Sequence, residues 1–282
     1  MNQVRTIGDI LVATGRLSQD DAARIVERQR ADKVQFGDAA LALKVLTKDD
    51  IDFALSKQFD YAYLSDQDDT VSHEIVAAYK PFSRVGENLR AVRSQLMLRW
   101  FNTDPAHKVI AIVSPGNGEG RSFIAANLAV VFAQQGERTL LIDADLRAQP
   151  GRGQQALFKL GKSAGLSGIL AGRAGLEVAQ LVPGLPGLAV LPAGATPPNP
   201  QELLGRPAFG DLLRIASQQF DVIIIDTPAG SDFADAEVTA ARAGAALLVA
   251  RKHQSLAPQA NQLGRRLQDS GVALVGSVLN DA

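Results

Sequence analysis

Nothing in this sequence constrains the fold more than the stretch Ser114-Pro115-Gly116-Asn117-Gly118-Glu119-Gly120-Arg121-Ser122. It follows the apolar run Val109–Val113 and precedes Phe123–Ala133, an Ala/Leu/Val-rich segment. The first run reads as a buried parallel strand, the second as a packed helix. A strand, a glycine-rich turn and a helix opening at Ser122 make a phosphate cradle. Glycines let backbone N–H groups converge on phosphate oxygens, and the helix N-terminus adds partial positive charge. Gly116, Asn117, Gly118, Glu119, Gly120, Arg121, Ser122 and Phe123 are the candidate nucleotide contacts. Arg121 would bring a cation to the outer phosphates, and the Ser122 hydroxyl would sit on Mg²⁺. Two letters depart from the usual G-x-x-x-x-G-K-[ST]: Pro115 replaces the first glycine and Arg121 the lysine. Arginine keeps the charge as a bulkier planar fork. A dinucleotide fingerprint fits worse, because its third glycine would fall on Arg121.

From Lys108 onward apolar runs alternate with helical segments, which predicts an α/β fold with a doubly wound, mostly parallel sheet. Thr139–Asp143 ends in Asp143, with Asp145 and Arg147 following; Asp221–Asp226 ends in Asp226-Thr227-Pro228. Ala245–Ala250 and Val272–Leu279 read as two more buried strands, with a helix over 256–269 between them. Ligand sites in such sheets lie beyond the strands' carboxyl ends, which gathers these acids near the phosphate loop. Mg²⁺ takes oxygen ligands, and phosphoryl transfer needs metal, cation and a carboxylate that positions the attacking group. Asp143, Asp145 and Asp226 are therefore the candidate carboxylates of a nucleotide site, beside Arg121 and Ser122. Asn280 either reads an adenine edge with its amide or simply closes the last strand. His73, His107 and His253 have no ligand spacing.

The first 62 residues carry an internal repeat that the phosphate loop does not explain. Ile7-Gly8-Asp9 recurs as Phe36-Gly37-Asp38, Leu17 as Leu46, Ser18 as Thr47 and Gln29 as Gln58. Ser18 and Thr47 read as helix N-caps with acids in the first turn. Ala22, Ile25 and Val26, then Ile51, Ala54 and Leu55, would bury one face of each helix, giving a small all-α domain. This region resembles the N-terminal domain of type II secretion and pilus assembly ATPases, some of which bind cyclic di-GMP through tandem motifs. The motif spacing is matched by residues 6–29 and 35–58, but the opening arginines are Thr6 and Gln35 here. The resemblance implies cyclic di-GMP as a candidate ligand, against a protein-docking or structural role.

Acidic residues and Pro81 suggest a linker over 63–82 before a larger domain over 83–282. A helix is expected over 85–100, with Glu87, Arg90 and Arg93 on one stripe; that stripe is either a solvated face or an interface. A net charge of −1 and a pI near 6.3 argue against electrostatic nucleic-acid binding. The chain contains no cysteine and no apolar run of membrane-spanning length, and its first residues lack a signal-peptide core. A cytoplasmic location is the expectation.

Residues from about 80 to 280 resemble the cytoplasmic domain of bacterial tyrosine kinases that control exopolysaccharide chain length. The resemblance rests on Glu87-x-x-Arg90-x-x-Arg93, the loop 116–122, Leu140–Arg147 and Ile223–Pro228. Gly165–Gly172 and Leu191–Leu204 add to it. The resemblance implies a deviant-Walker, SIMIBI-like P-loop domain that binds ATP and Mg²⁺ and phosphorylates protein tyrosine, with Asp143, Asp145 and Arg121 as catalytic residues and Ser122, Asp143 and Asp226 holding the metal. It implies that the Glu87/Arg90/Arg93 stripe assembles a homo-oligomeric ring. It also implies a membrane-anchored polysaccharide chain-length determinant (co-polymerase) protein as partner, holding the domain peripheral to the inner membrane. Three departures stand out. The family's tyrosine-rich tail has no counterpart, since Tyr61, Tyr63 and Tyr79 are the only tyrosines. Ala229 replaces a second proline, and Arg121 replaces the lysine. The alternatives are an ATPase or ATP-binding assembly switch without kinase activity, and a cyclic di-GMP-responsive adaptor.

Overall fold

A computed structural model describes residues 6–58, 62–65, 67–149, 152–231 and 233–281. The chain divides into compact units Met1–Ser65 and Asp66–Ala282. In the first, the repeat folds as two short-helix, long-helix pairs: α1 (Ile7–Ala13) with α2 (Gln19–Asp32), and α3 (Phe36–Ala42) with α4 (Lys48–Gln58). Each long helix starts where its cap stands: the Ser18 hydroxyl accepts from Asp21 N at 3.1 Å, and Thr47 from Asp50 N at 3.2 Å. Leu11, Leu17, Ile25, Ala40, Leu46 and Ala54 form the core. Val26 was expected inside but is exposed, because Ile25 takes the inward position.

The second unit opens with α5 (Val76–Tyr79) and α6 (Arg84–Leu96), which continues as a wider turn through Phe101. Residues 67–82, expected to be a linker, instead pack within this unit. Val71, Ile75, Ala77, Ala78 and Tyr79 are buried, and the Tyr79 hydroxyl donates to Val71 O at 2.7 Å. Their acidic neighbours mask an apolar pattern short enough to read as loop.

The sheet comprises β1 (Val109–Val113), β2 (Thr139–Asp143), β3 (Gln180–Leu181), β4 (Leu188–Leu191), β5 (Val222–Asp226), β6 (Ala245–Arg251) and β7 (Ala273–Asn280). Its order is β3-β4-β2-β5-β1-β6-β7, parallel except at β3. The helices α7 (Arg121–Ala133), α8 (Gln154–Leu157), α9 (Gly165–Leu170), α10 (Pro200–Gly205), α11 (Pro207–Gln219), α12 (Asp235–Ala243) and α13 (Ala257–Asp269) connect the strands. β1, β2 and β5 are buried throughout, as continuous apolar runs require in a sheet covered on both faces. β7 is not the buried strand its composition suggested: it lies at the edge, and Leu279 is 66% exposed. The β2/β5 register sets Asp143 directly beside Asp226.

Candidate phosphate-loop and cation site

The order of the central strands makes the site. β1 feeds the glycine loop, while β2 and β5 end on its flank with Asp143 and Asp226 as register partners. Gly118 (φ +72°) and Gly120 (φ +94°) adopt left-handed backbone that side chains disfavour. At Gly120 a Cβ would also lie 2.2 Å from Asn280 Nδ2. The loop is clamped from the β6 and β7 ends. Arg251 donates to Gly118 O at 3.0 Å, Gln254 to Asn117 O at 2.8 Å and Asn280 Nδ2 to Glu119 O at 3.2 Å. Asn280 therefore braces the loop itself. Asn117 and Gly118 are exposed, whereas Glu119 is buried; its carboxylate accepts from Gly116 N at 2.6 Å and from the Ser255 hydroxyl. An acidic group thus already holds one of the amides that would meet a phosphate.

Arg121 does not point outward as a phosphate finger. Its Nε donates to Thr227 O at 2.8 Å and its Nη1 to Gly116 O at 2.6 Å and to the Ser114 hydroxyl. The planar fork reaches two carbonyls on the loop floor from two separate nitrogens, where a lysine has only one. Ser122 is half-buried, and its side chain lies near enough to Asp226 to favour the charged carboxylate. Phe123 lies half-buried in the first turn of α7, its carbonyl accepting from Asn127.

Asp143 is buried, with Oδ1 accepting from Asp145 N at 3.1 Å and Oδ2 from Gln154 N at 2.9 Å. Burial first, and then the neighbouring Asp226, pushes its carboxyl well above the usual range. Burial also raises Asp226, against the nearby Ser122 side chain, the Arg121 charge and the Gln154 amide. Two carboxyls side by side out of water hold protons more tightly than either would alone, and a bound cation relieves that repulsion. Asp145 is only half-buried; its Oδ1 accepts from Arg147 N at 3.1 Å. Arg147 forms a two-pronged bridge to the buried Asp235 at 2.7 and 3.1 Å and lies 3.7 Å over the Phe233 ring. Asp235, Ser255 and Gln154 join the site without any sequence signal, because tertiary closure alone brings them there.

The stripe on α6 divides. Glu87 is exposed and pairs with Arg90, which donates to Pro81 O at 2.6 Å, while Arg93 donates to Val131 O at 2.9 Å. Both arginines serve their own fold. In the first unit, Gly8, Gln29, Arg30, Phe36 and Gln58 line one groove of about 1000 Å³. Tyr61 lies outside the described residues.

A glycine loop on a buried strand, opening a helix beside two strand-end acids, defines a P-loop nucleotide-binding domain. The CobQ/CobB/MinD/ParA nucleotide binding domain family matches residues 110–280. Among named relatives, tyrosine-protein kinase YwqD of Bacillus subtilis is 34% identical over 210 residues, which is 74% of this chain and 86% of that protein. Tyrosine-protein kinase Etk of Escherichia coli K12 is 34% identical over 206 residues, 73% of this chain. The chain spans 28% of Etk's length. The solved Etk kinase domain of Escherichia coli superposes with a TM-score of 0.67 at 34% identity, covering 74% of this chain and 80% of that one. The BceF tyrosine kinase domain gives 0.65 at 32%, covering 73% and 81%. The chain belongs to the bacterial tyrosine-protein kinase family.

Proposed function

We propose that the protein is an ATP-dependent protein-tyrosine kinase of exopolysaccharide assembly. The observation that carries this reading is the side-by-side placement of Asp143 and Asp226 at the strand ends, next to the glycine loop and Ser122 at the start of its helix. The donor set is all oxygen, as Mg²⁺ requires, and Asp226 Oδ1 is a buried acceptor with no partner among the described residues. Ser122, Asp143 and Asp226 would hold Mg²⁺, which neutralises charge building on the transferring phosphoryl group. The loop amides of 116–122 bind the phosphates; Glu119 yields Gly116 N when they arrive. Arg121 ties the loop to Thr227 and sets its curvature. Asp145, the one acid of the three within reach of solvent, accepts the proton of the attacking tyrosine hydroxyl. Tyr79 is no acceptor in this fold, being buried and hydrogen-bonded; the acceptor is Tyr61, Tyr63 or another protein.

The partner reading follows the family: a membrane-anchored chain-length determinant protein holds this domain at the inner cytoplasmic face. Among the described residues no helix is long and apolar enough to cross a membrane. Ring assembly through α6 would use Glu87, the member of the stripe left exposed. Radiolabelled ATP with Mg²⁺ and a membrane fraction carrying the partner tests the activity. Phosphotyrosine that disappears in Asp145→Asn supports the kinase; free phosphate without phosphotyrosine supports the alternative, an ATP-hydrolysing assembly switch.

The first unit supports a second binding reading. Gly8, Gln29 and Gln58, the repeat positions that match tandem cyclic di-GMP motifs, share one groove with Arg30, a cation that phosphate would need. Calorimetric titration of the full chain with cyclic di-GMP tests it. Saturable heat that Arg30→Ala weakens supports the reading, and no heat at high micromolar ligand removes it.

A further inference from the structure

Gln154 has no part in the chemistry above, yet it touches every member of the cation cluster. It is fully buried. Its backbone N–H donates to Asp143 Oδ2 at 2.9 Å, and its Nε2 donates to Asp226 Oδ2 at 2.7 Å and to Ser122 O at 3.1 Å. Both side-chain contacts are acceptors, so the amide nitrogen and not the oxygen must face them. Gln154 Oε1 is left buried with no partner among the described residues, as is Asp226 Oδ1. The close approach is built into the backbone. Gly153 has φ +65°, and a Cβ there would lie 2.5 Å from Asp143 Oδ2. Any other residue at 153 would push the turn away from the acids.

A strand-end carboxyl pair without a cation needs donors, and Gln154 supplies one to each acid from a single residue. An amide N–H carries partial positive charge and offers no lone pair to a metal, so Gln154 in this rotamer keeps a cation from Asp226 Oδ2 and repels one at the open Oδ1. The far end of its turn is tied down: Ser72 N donates to Leu157 O at 2.7 Å, and Lys159 pairs with Asp69. The amide therefore stays seated until something displaces it.

We propose that Gln154 is a placeholder for the cation, satisfying Asp143 and Asp226 when no metal is bound and leaving its seat when Mg²⁺ enters. This rests on the reading of Ser122, Asp143 and Asp226 as the cation site. It makes metal affinity a difference between two occupied states, so removing the amide favours the metal.

The test is calorimetric titration of the full chain with ADP, once with Mg²⁺ and once with EDTA, taking the ratio of the two affinities. Gln154→Ala and the near-isosteric Gln154→Met are measured beside wild type. Met keeps the volume without a donor, which separates the placeholder from a packing defect. Loss of one hydrogen bond to a charged acceptor predicts a ratio about tenfold larger in both variants. Both should also unfold at lower temperature than wild type in EDTA. An unchanged ratio makes Gln154 purely structural, and a smaller ratio makes it a ligand; either overturns the proposal. A wild-type ratio of one removes the cation site itself, and the placeholder with it.

Discussion

Arg121→Lys tests how the phosphate loop is held. The guanidinium reaches Thr227 O with Nε and Gly116 O with Nη1, and it also meets the Ser114 hydroxyl. Arg121 is 8% exposed and Thr227 1%, so water cannot replace what is lost. A lysine brings one nitrogen on an unbranched stem and can keep the Gly116 side of the brace but not both sides. The Thr227 carbonyl then loses its donor inside the protein, which costs roughly 1–3 kcal/mol. Taking about 2 kcal/mol, a unit of this size should unfold about 4–8 °C lower in the nucleotide-free state. ATP turnover should be preserved or raised, because a lysine released from Thr227 is free to meet a phosphate. Differential scanning fluorimetry without nucleotide reads the first effect, and phosphate release reads the second. An Arg121→Lys protein that unfolds at or above the wild-type temperature would refute the brace.

Asp143→Ala should abolish turnover, since it removes one of the paired strand-end carboxyls; undiminished phosphate release would assign the activity elsewhere. The raised Asp143 carboxyl also sets a pH dependence. The folded state holds this proton more tightly than the unfolded chain. The contribution of this one group to metal-free stability is therefore greatest below the ordinary carboxylate range, and falls as pH rises through that range to the raised folded value. Asp143→Asn removes this slope and should be more stable than wild type at neutral pH in EDTA, a gain that vanishes in acid; melts across pH check both limbs. Asn127 accepts from Ala77 N at 2.9 Å and donates to Glu74 O at 3.2 Å, fixing the segment before α6 onto α7. Asn127→Ala should cost about 2–4 kcal/mol by orphaning both groups, and urea unfolding with an unchanged midpoint would show that the segment is held by apolar contacts alone.

The strands carrying the site were legible because each is a continuous apolar run ending in an acid, a pattern that both burial and strand-end ligand geometry leave in the letters. The repeat in the first unit was equally legible, since caps and spacing recur residue for residue. Three things were not. The 67–82 segment hides apolar anchors among acids, and what fixes it is Asn127, far away in sequence. β7 reads as buried because its composition is apolar, while edge position is decided by strand order. The inner ring of the site, made by Gln154, Asp235 and Ser255, depends on loops closing over long sequence separations, which leaves no local pattern. Arg121 was legible as a cation but not as a brace, because the motif specifies charge and the fold chooses the acceptors.

The central claim is that the ends of β1, β2 and β5 gather around one metal-bound triphosphate, and it can be seen directly. A crystal grown with a non-hydrolysable ATP analogue and Mn²⁺ locates the metal by its anomalous scattering. The account predicts a single peak bonded to the Ser122 hydroxyl oxygen beside Asp143 and Asp226, with phosphates on the amides of 116–122 and Gln154 turned away. A peak elsewhere, or nucleotide bound with Glu119 still on Gly116 N, would contradict it.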